Sequence, residues 1–193
     1  MKNSGNSAEN LIHATALVES TTIGKGNRIW AFVHILPGTV MGNNCNICDH
    51  CFIEGNVKIG NNVTLKSGVH LWDGLTLKDD VFVGPGVAFT NDLLPRSGNT
   101  DFVRKETIIE KGASLGANST ILSGITIGEY AMTGIGSVVT RSVPSHALVF
   151  GNPARFKAWI DEKGEKMKTS GPKEWRSESG TTYIETPTGL KRK

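Results

Sequence analysis

Stepping by six from Ile23, the chain reads Ile23, Ile29, Ile35, Met41, Ile47, Ile53, Ile59, Leu65, Leu71, Leu77, Val83 and Phe89, an unbroken run of large apolar residues. Leu11 and Leu17 extend the series backwards. A second series lies two residues before the first. It starts small, at Thr39, Cys45 and Cys51, and continues as Val57, Val63, Val69, Leu75, Val81 and Val87. An α-helix repeats every 3.6 residues and a plain strand every two, so neither generates this pattern. A six-residue unit is a short strand plus a corner, with two inward side chains separated by one outward side chain. Glycine, asparagine and aspartate fill the corners, as in IGNN, LWDG and LKDD, where positive φ is needed. Such units bury their apolar side only by stacking, which predicts an all-β solenoid.

The lattice breaks after Phe89, at NDLLPRSGNTDFVRKET. It resumes at Ile109 and continues through Leu115, Ile121, Ile127, Thr133 and Val139, with companions Thr107, Ala113, Ser119, Ile125, Ala131 and Ser137. Residues 90–106 are therefore an insertion, and Thr133 is the weak core member. Residues 1–150 are expected to form the solenoid domain, and residues 151–193 a short helix, near 154–162, with a basic tail in which SGTTYIETPTG makes a hairpin.

Charge and cysteine usage exclude several functions. The net charge is +3, with Lys+Arg against Asp+Glu at 11 to 12 over residues 1–150 and 10 to 6 over 151–193. That balance is too weak to indicate nucleic acid. No apolar run of about 18 residues is present to span a membrane, and the polar start MKNSGNSAEN lacks the apolar stretch of a secretory signal. The three cysteines, Cys45, Cys48 and Cys51, follow a C-x2-C-x2-C spacing around His50 that suggests a metal site. On the lattice, Cys45 and Cys51 point inward on adjacent faces, Cys48 points outward and His50 points outward from another strand position. These directions do not converge on one ion, so no metal is expected. The protein is read as cytoplasmic and reduced.

The hexads IGKGNR, IGNNVT and IGEYAM resemble those of the hexapeptide-repeat acyltransferases over roughly residues 11–157. That resemblance implies a left-handed parallel β-helix with 18-residue triangular coils, and a homotrimer with sites between subunits. The stretch from IWAFVHILPG to FTNDLLPRS, with DDVFVGP and FTND…PRS, is similar to the N-acetyltransferases of nucleotide-linked 3-amino sugars. This subgroup uses acetyl-CoA to make 3-acetamido sugars for O-antigen and S-layer glycans. FTND and CNICDHCFIE favour the branch acting on dTDP-3-amino-3,6-dideoxyhexoses. The C-terminal segment favours the alternative, UDP-2-acetamido-3-amino-2,3-dideoxyglucuronate.

With 18-residue coils, His34, Phe52, His70 and Ala88 form one outward column, and Leu36, Glu54, Trp72 and Thr90 a second. Gly55, Asp73 and Asn91 form a third at a corner. Outward-facing Trp30, Phe32, Phe52 and Trp72 are expected to be covered by another subunit, by ligand, or by a loop of the same chain. Asn91 matches the family residue beside the sugar amine, and His70 is the rival general base. Glu54 and Trp72 are candidate sugar contacts. Arg96 and Arg104 are candidates for the diphosphate, since guanidinium suits phosphate oxygens. Asp92 either holds a sugar hydroxyl or caps the loop through an Asx-turn. GIGSVVTRSVPSHALVFGNPAR resembles the family's terminal coil. The resemblance places the CoA pantetheine along Ala117, Ile135 and Pro153, and its phosphates near Thr140 and Arg141, with Arg155 and Lys157 adding positive charge.

Three other readings fit the sequence less well. A γ-class carbonic anhydrase needs a close H-x4-H pair, which His13, His34, His50, His70 and His146 do not supply. A scaffold without activity is opposed by the terminal coil and the FTND insertion. An enzyme for 4-amino sugars, as compared with known members, needs an N-terminal nucleotide-binding domain for which the chain has no room.

Overall fold

The computed structural model describes residues 9–99, 101 and 103–193; the polar start at residues 1–8 lies outside them. Two- and three-residue strands form the three walls of a triangular prism. The first wall begins at Leu11–Ile12 and climbs through Arg28–Ile29, Asn46–Ile47 and Thr64–Leu65. The second includes His34–Ile35, Phe52–Ile53, His70–Leu71, Ala88–Phe89, Thr120–Ile121 and Val138–Val139. The third includes Val40–Met41, Lys58–Ile59, Leu75–Leu77, Thr107–Ile109 and Thr126–Ile127. Neighbouring strands within these coils are parallel. The result is a parallel β-solenoid of about eight turns, consistent with a left-handed β-helix.

Both inward series fill the prism. Ile35, Ile47, Ile53, Leu65, Leu71, Leu115, Ile121 and Ile127 are each 0% exposed, as are Thr39, Cys45, Val57, Val63 and Val69. Each such large side chain contributes about 1.5–3 kcal/mol of burial. Thr133 belongs in this core because its hydroxyl donates to Ser119 Oγ at 3.3 Å and accepts the Gly116 N–H at 3.1 Å. The corners repeat with the strands: Asn44, His50, Asn56 and Asn62 have φ of 58°, 59°, 57° and 57°, and Gly68 and Gly74 follow with 74° and 87°. Asparagine tolerates this left-handed backbone better than other side chains do. His50 is thus a corner residue rather than a strand residue, stacked on Phe32 of the coil below with ring centroids 4.9 Å apart.

The lattice slips at both ends. Leu11 pairs with Arg28 and Leu17 with His34, so the first coil holds seventeen residues. Ile12 and Val18, rather than Leu11 and Leu17, therefore continue the inward series, and Leu11 and Leu17 are 56% and 53% exposed. In the last coil Met132 pairs with Leu148 and Ile127 bridges Val143, sixteen residues on. Pro153 consequently leaves the Ala117–Ile135 column; it sits in the turn between the strands Ala147–Gly151 and Ala154–Trp159.

No helix forms at 154–162. Ala154–Trp159 is a strand, paired antiparallel with Ala147–Gly151. Trp159 and Ile160 reach the core while Arg155, Phe156 and Lys157 face outward. The tail folds into a four-stranded antiparallel sheet: Lys168–Gly171, Glu174–Arg176, Thr182–Thr186 and Gly189–Arg192. The expected hairpin is its last pair. The sheet docks on the final coil, where Ser145 N–H donates to Thr188 O at 3.0 Å and Leu190 N–H donates to Ser145 O at 3.1 Å.

Candidate active site

The insertion leaves the prism at the corner between the second and third walls. Ala88 pairs below with His70, eighteen residues back, and above with Thr120, thirty-two residues on. The loop thus adds a net fourteen residues to one corner and leaves every strand above in place. Below it, the same corner holds Glu54 and Asp73. Above it lie Ser123 and then Thr140–Ser142.

The corner is tied by specific bonds. Glu54 Oε2 accepts the Asp73 N–H at 2.7 Å. Asp73 pairs with Arg104 of the returning loop at 3.1 Å. Gly74 lies under that arginine: it has φ of +87°, and a Cβ there would meet Arg104 Cγ and Cδ at 3.0 Å. Trp72 Nε1 donates to Phe89 O at 2.8 Å, and Ser123 N–H donates to Thr90 Oγ1 at 2.9 Å. Phe89 and Thr90, the last residues before the loop, are thereby fixed from below and from above. Asn91 follows directly, half-buried, and its amide makes no hydrogen bond among the described residues. Asp92 Oδ1 accepts the Leu94 N–H at 2.8 Å, which is the Asx-turn expected as one of its two roles.

The outer face of the second wall carries an aromatic ladder. His34 and Phe52 have centroids 5.6 Å apart, Phe52 and His70 6.2 Å, and Trp72 lies 5.9 Å from Phe52 and 5.8 Å from His70. The expected columns are therefore present as ring contacts. His34 Nε2 is also 2.8 Å from Glu19 Oε2.

At the upper end, Thr140, Arg141, Ser142, Pro144, Arg155 and Phe156 line a groove of about 260 Å³. Three of the expected CoA contacts, Thr140, Arg141 and Arg155, thus meet in one place. The others do not join them. Lys157 Nζ lies 4.6 Å above the Phe150 ring. Ala117 and Ile135 stand on the corner between the first and second walls, with Ile135 82% exposed. Arg96 is exposed and donates to Pro95 O at 2.8 Å.

Cys45 and Cys51 are buried in different walls, and burial pushes both thiols up to about 11. A protonated thiol is a poor metal ligand. Among the described residues no group of three or more His, Cys, Asp or Glu is placed to hold a metal ion. Likewise, among them no helix is long and apolar enough to cross a membrane.

Residues 20–55 match the bacterial transferase hexapeptide (six repeats) family. A relative from Aneurinibacillus thermoaerophilus, dTDP-3-amino-3,6-dideoxy-alpha-D-galactopyranose 3-N-acetyltransferase, is 56% identical over 157 residues, 81% of this chain and 82% of that one. The chain belongs to the hexapeptide-repeat acyltransferases. Within that family it falls in the nucleotide-linked 3-amino-sugar N-acetyltransferase subgroup. A hexapeptide-repeat acetyltransferase from Vibrio cholerae, solved with acetyl coenzyme A, aligns with a TM-score of 0.57 at 27% identity, covering 64% of this chain and 72% of that one. WeeI from Acinetobacter baumannii shares the fold, with a TM-score of 0.51 at 21% identity over 76% of this chain and 57% of its own.

At this corner stand an uncommitted amide at Asn91, a carboxylate at Glu54 and the guanidinium of Arg104, with that of Arg141 above them in the groove. The sequence columns put Glu54, Trp72 and Asn91 at this corner, and the structure places them there. They placed Asp73 correctly but did not foresee its pair with Arg104. Ser123 also stands at this corner, which the columns do not show because they continue to it only once the net length of the insertion is known.

Proposed function

We propose that the protein transfers acetyl from acetyl-CoA to the 3-amino group of a dTDP-linked 3-amino-3,6-dideoxyhexose. The observation that carries this reading is the 56% identity, over most of both chains, to the dTDP-3-amino-3,6-dideoxygalactose enzyme. The Thr140–Arg141–Arg155 groove supports the co-substrate, since it offers a hydroxyl and two permanent cations to phosphate oxygens.

In this reading the neutral amine attacks the thioester carbonyl; the C–N bond forms and the C–S bond breaks. The Asn91 side-chain carbonyl accepts an amine N–H and aims the lone pair. The departing thiolate takes up the amine proton, as a thiol pKa of about 8.5 allows, with His70 as the alternative base. Glu54 and Trp72 flank the sugar, and Asp92 holds the start of the loop beside it through its Asx-turn. Arg96 and Arg104 serve the diphosphate, and Thr140, Arg141 and Arg155, which line the groove, take the CoA phosphates. Trp30 and Phe32, 38% and 58% exposed, supply an apolar face for a homotrimer. The product serves O-antigen or S-layer glycan synthesis in the cytoplasm, where nucleotide sugars and acetyl-CoA meet.

The test is thiol release from acetyl-CoA with a panel of dTDP- and UDP-linked 3-amino sugars. Turnover is expected with the dTDP-linked 3-amino-3,6-dideoxyhexoses, and Asn91→Ala is expected to lower kcat about 100-fold. Turnover confined to the UDP-linked uronate would move the assignment to that substrate. No turnover on any 3-amino sugar would overturn the reading.

A further inference from the structure

Ser123 is 3% exposed. Among the described residues its Oγ is the one buried side-chain oxygen or nitrogen without a hydrogen-bond partner. A buried hydroxyl left unpaired is destabilising, so each one in a folded protein calls for a reason. Packing alone gives none. An alanine would fit the same space without that cost.

The position supplies the reason. Ser123 N–H donates to Thr90 Oγ1 at 2.9 Å, which fixes Ser123 directly over the residue preceding Asn91. The pairing of Ala88 with Thr120 and Phe89 with Ile121 is followed by the Thr90 N–H donating to Ile121 O at 3.1 Å, and the same thirty-two-residue spacing continued by one residue leads from Asn91 to Ser123. The next coil up, in register through Val139 on Ile121, brings Thr140 and the rest of the upper groove over the same corner. Ser123 therefore stands between the residue assigned to the amine and the groove assigned to CoA. Below it, Asn91 has an amide that is likewise uncommitted. Two unpaired polar groups, one a donor and one able to accept, are stacked one coil apart.

We infer that Ser123 is a positioning residue for acetyl transfer, its hydroxyl donating to the Asn91 side-chain carbonyl in the ternary complex. That bond fixes which way the Asn91 amide points and leaves the second lone pair of Oδ1 for the substrate amine. The inference rests on the acetyltransferase reading above. It explains why a hydroxyl is kept at a stability cost, a pattern expected where function and stability compete.

The test is a double-mutant cycle with Ser123→Ala, Asn91→Ala and the double variant, assayed by thiol release and by thermal melting. Ser123→Ala is expected to keep or raise Tm, to lower kcat about 10-fold and to leave KM for acetyl-CoA unchanged. In the Asn91→Ala background the same change is expected to add almost nothing, because the two residues act as a unit. Ser123→Thr, which retains the hydroxyl, is expected to recover most of kcat. A Ser123→Ala variant with wild-type kcat, or losses that multiply fully in the double variant, would overturn the inference. Absence of wild-type turnover would instead count against the acetyltransferase reading itself.

Discussion

The prism and the C-terminal sheet solve the same problem in opposite ways. In the prism each residue's place is set by counting: two inward side chains every six residues, a left-handed corner every six, and a neighbour one coil away. Stability is distributed over many equivalent interfaces. The C-terminal sheet has no repeat. It docks through a few singular contacts: Tyr183, 0% exposed, donates its hydroxyl to Glu162 and tilts against His146, whose ring stacks on Tyr130 of the coil. Trp159 and Trp175, with centroids 6.4 Å apart, bridge the ribbon at 147–159 to the sheet. A lattice tolerates loss of a peripheral contact but depends on its continuous core, whereas a latch fails when one of its members fails.

That contrast is broken most directly in the core. Leu71→Ala empties a fully buried slot in the middle of the second wall. It is expected to cost about 2–5 kcal/mol and to lower the melting transition of the whole prism, followed by circular dichroism. Preservation of the wild-type Tm would mean that the coils unfold independently.

A smaller and more local effect is expected from the latch. Tyr183→Phe removes a hydrogen bond to a carboxylate, worth about 1.5–3 kcal/mol, and should loosen the C-terminal sheet while the prism melts as before. Hydrogen exchange of residues 182–192 distinguishes the two. The latch is also sensitive to pH on both sides. Burial pushes His146 below its ordinary value of 6.5, so its contribution is complete above that pH and is lost as pH falls below it. Burial, together with the Glu162 carboxylate, raises Tyr183 above its ordinary 10.0, so its contribution is complete below pH 10 and is lost above it. Docking of the sheet should therefore be firmest between about pH 6.5 and 10. A flat exchange profile down to pH 5 would remove His146 from the latch.

The same contrast governs what the sequence reveals. The solenoid, its corners, the insertion and the columns at His70, Glu54, Trp72 and Asn91 follow from the six-residue period, because a closed lattice converts spacing into position. The misses lie where the lattice is imperfect. Leu11 and Leu17 are one residue out of phase because the first coil is short, with little stacked above its exposed end to enforce the phase. Pro153 left its column because Val143 follows Val139 by four residues, a shortening that apolar spacing does not announce. ARFKAW reads as a helix in isolation and becomes a strand because Ala147–Gly151 offers it a free edge. The role of Asp73 and the position of Ser123 depend on where the loop returns, which is a tertiary property.

The inserted loop is held by neither device, which makes it the sharpest test of the contrast. Its return is fixed by Asp73 and Arg104, side chains that are 34% and 47% exposed. An exposed pair of this kind contributes about 0–1 kcal/mol, so Asp73→Asn and Arg104→Gln should each shift Tm only slightly. Their effect belongs to the site. Arg104 cannot give its full charge to a diphosphate while Asp73 holds it, so in the proposed reaction the carboxylate and the substrate compete for one guanidinium. Arg104→Gln is then expected to raise KM for the nucleotide sugar about 10-fold, the equivalent of one charge-assisted contact. Asp73→Asn frees the arginine and should leave that KM unchanged or lower it, while hydrogen exchange in residues 91–99 increases. Equal rises in KM for both variants would show that the pair acts only to hold the loop, and would withdraw Arg104 from the diphosphate.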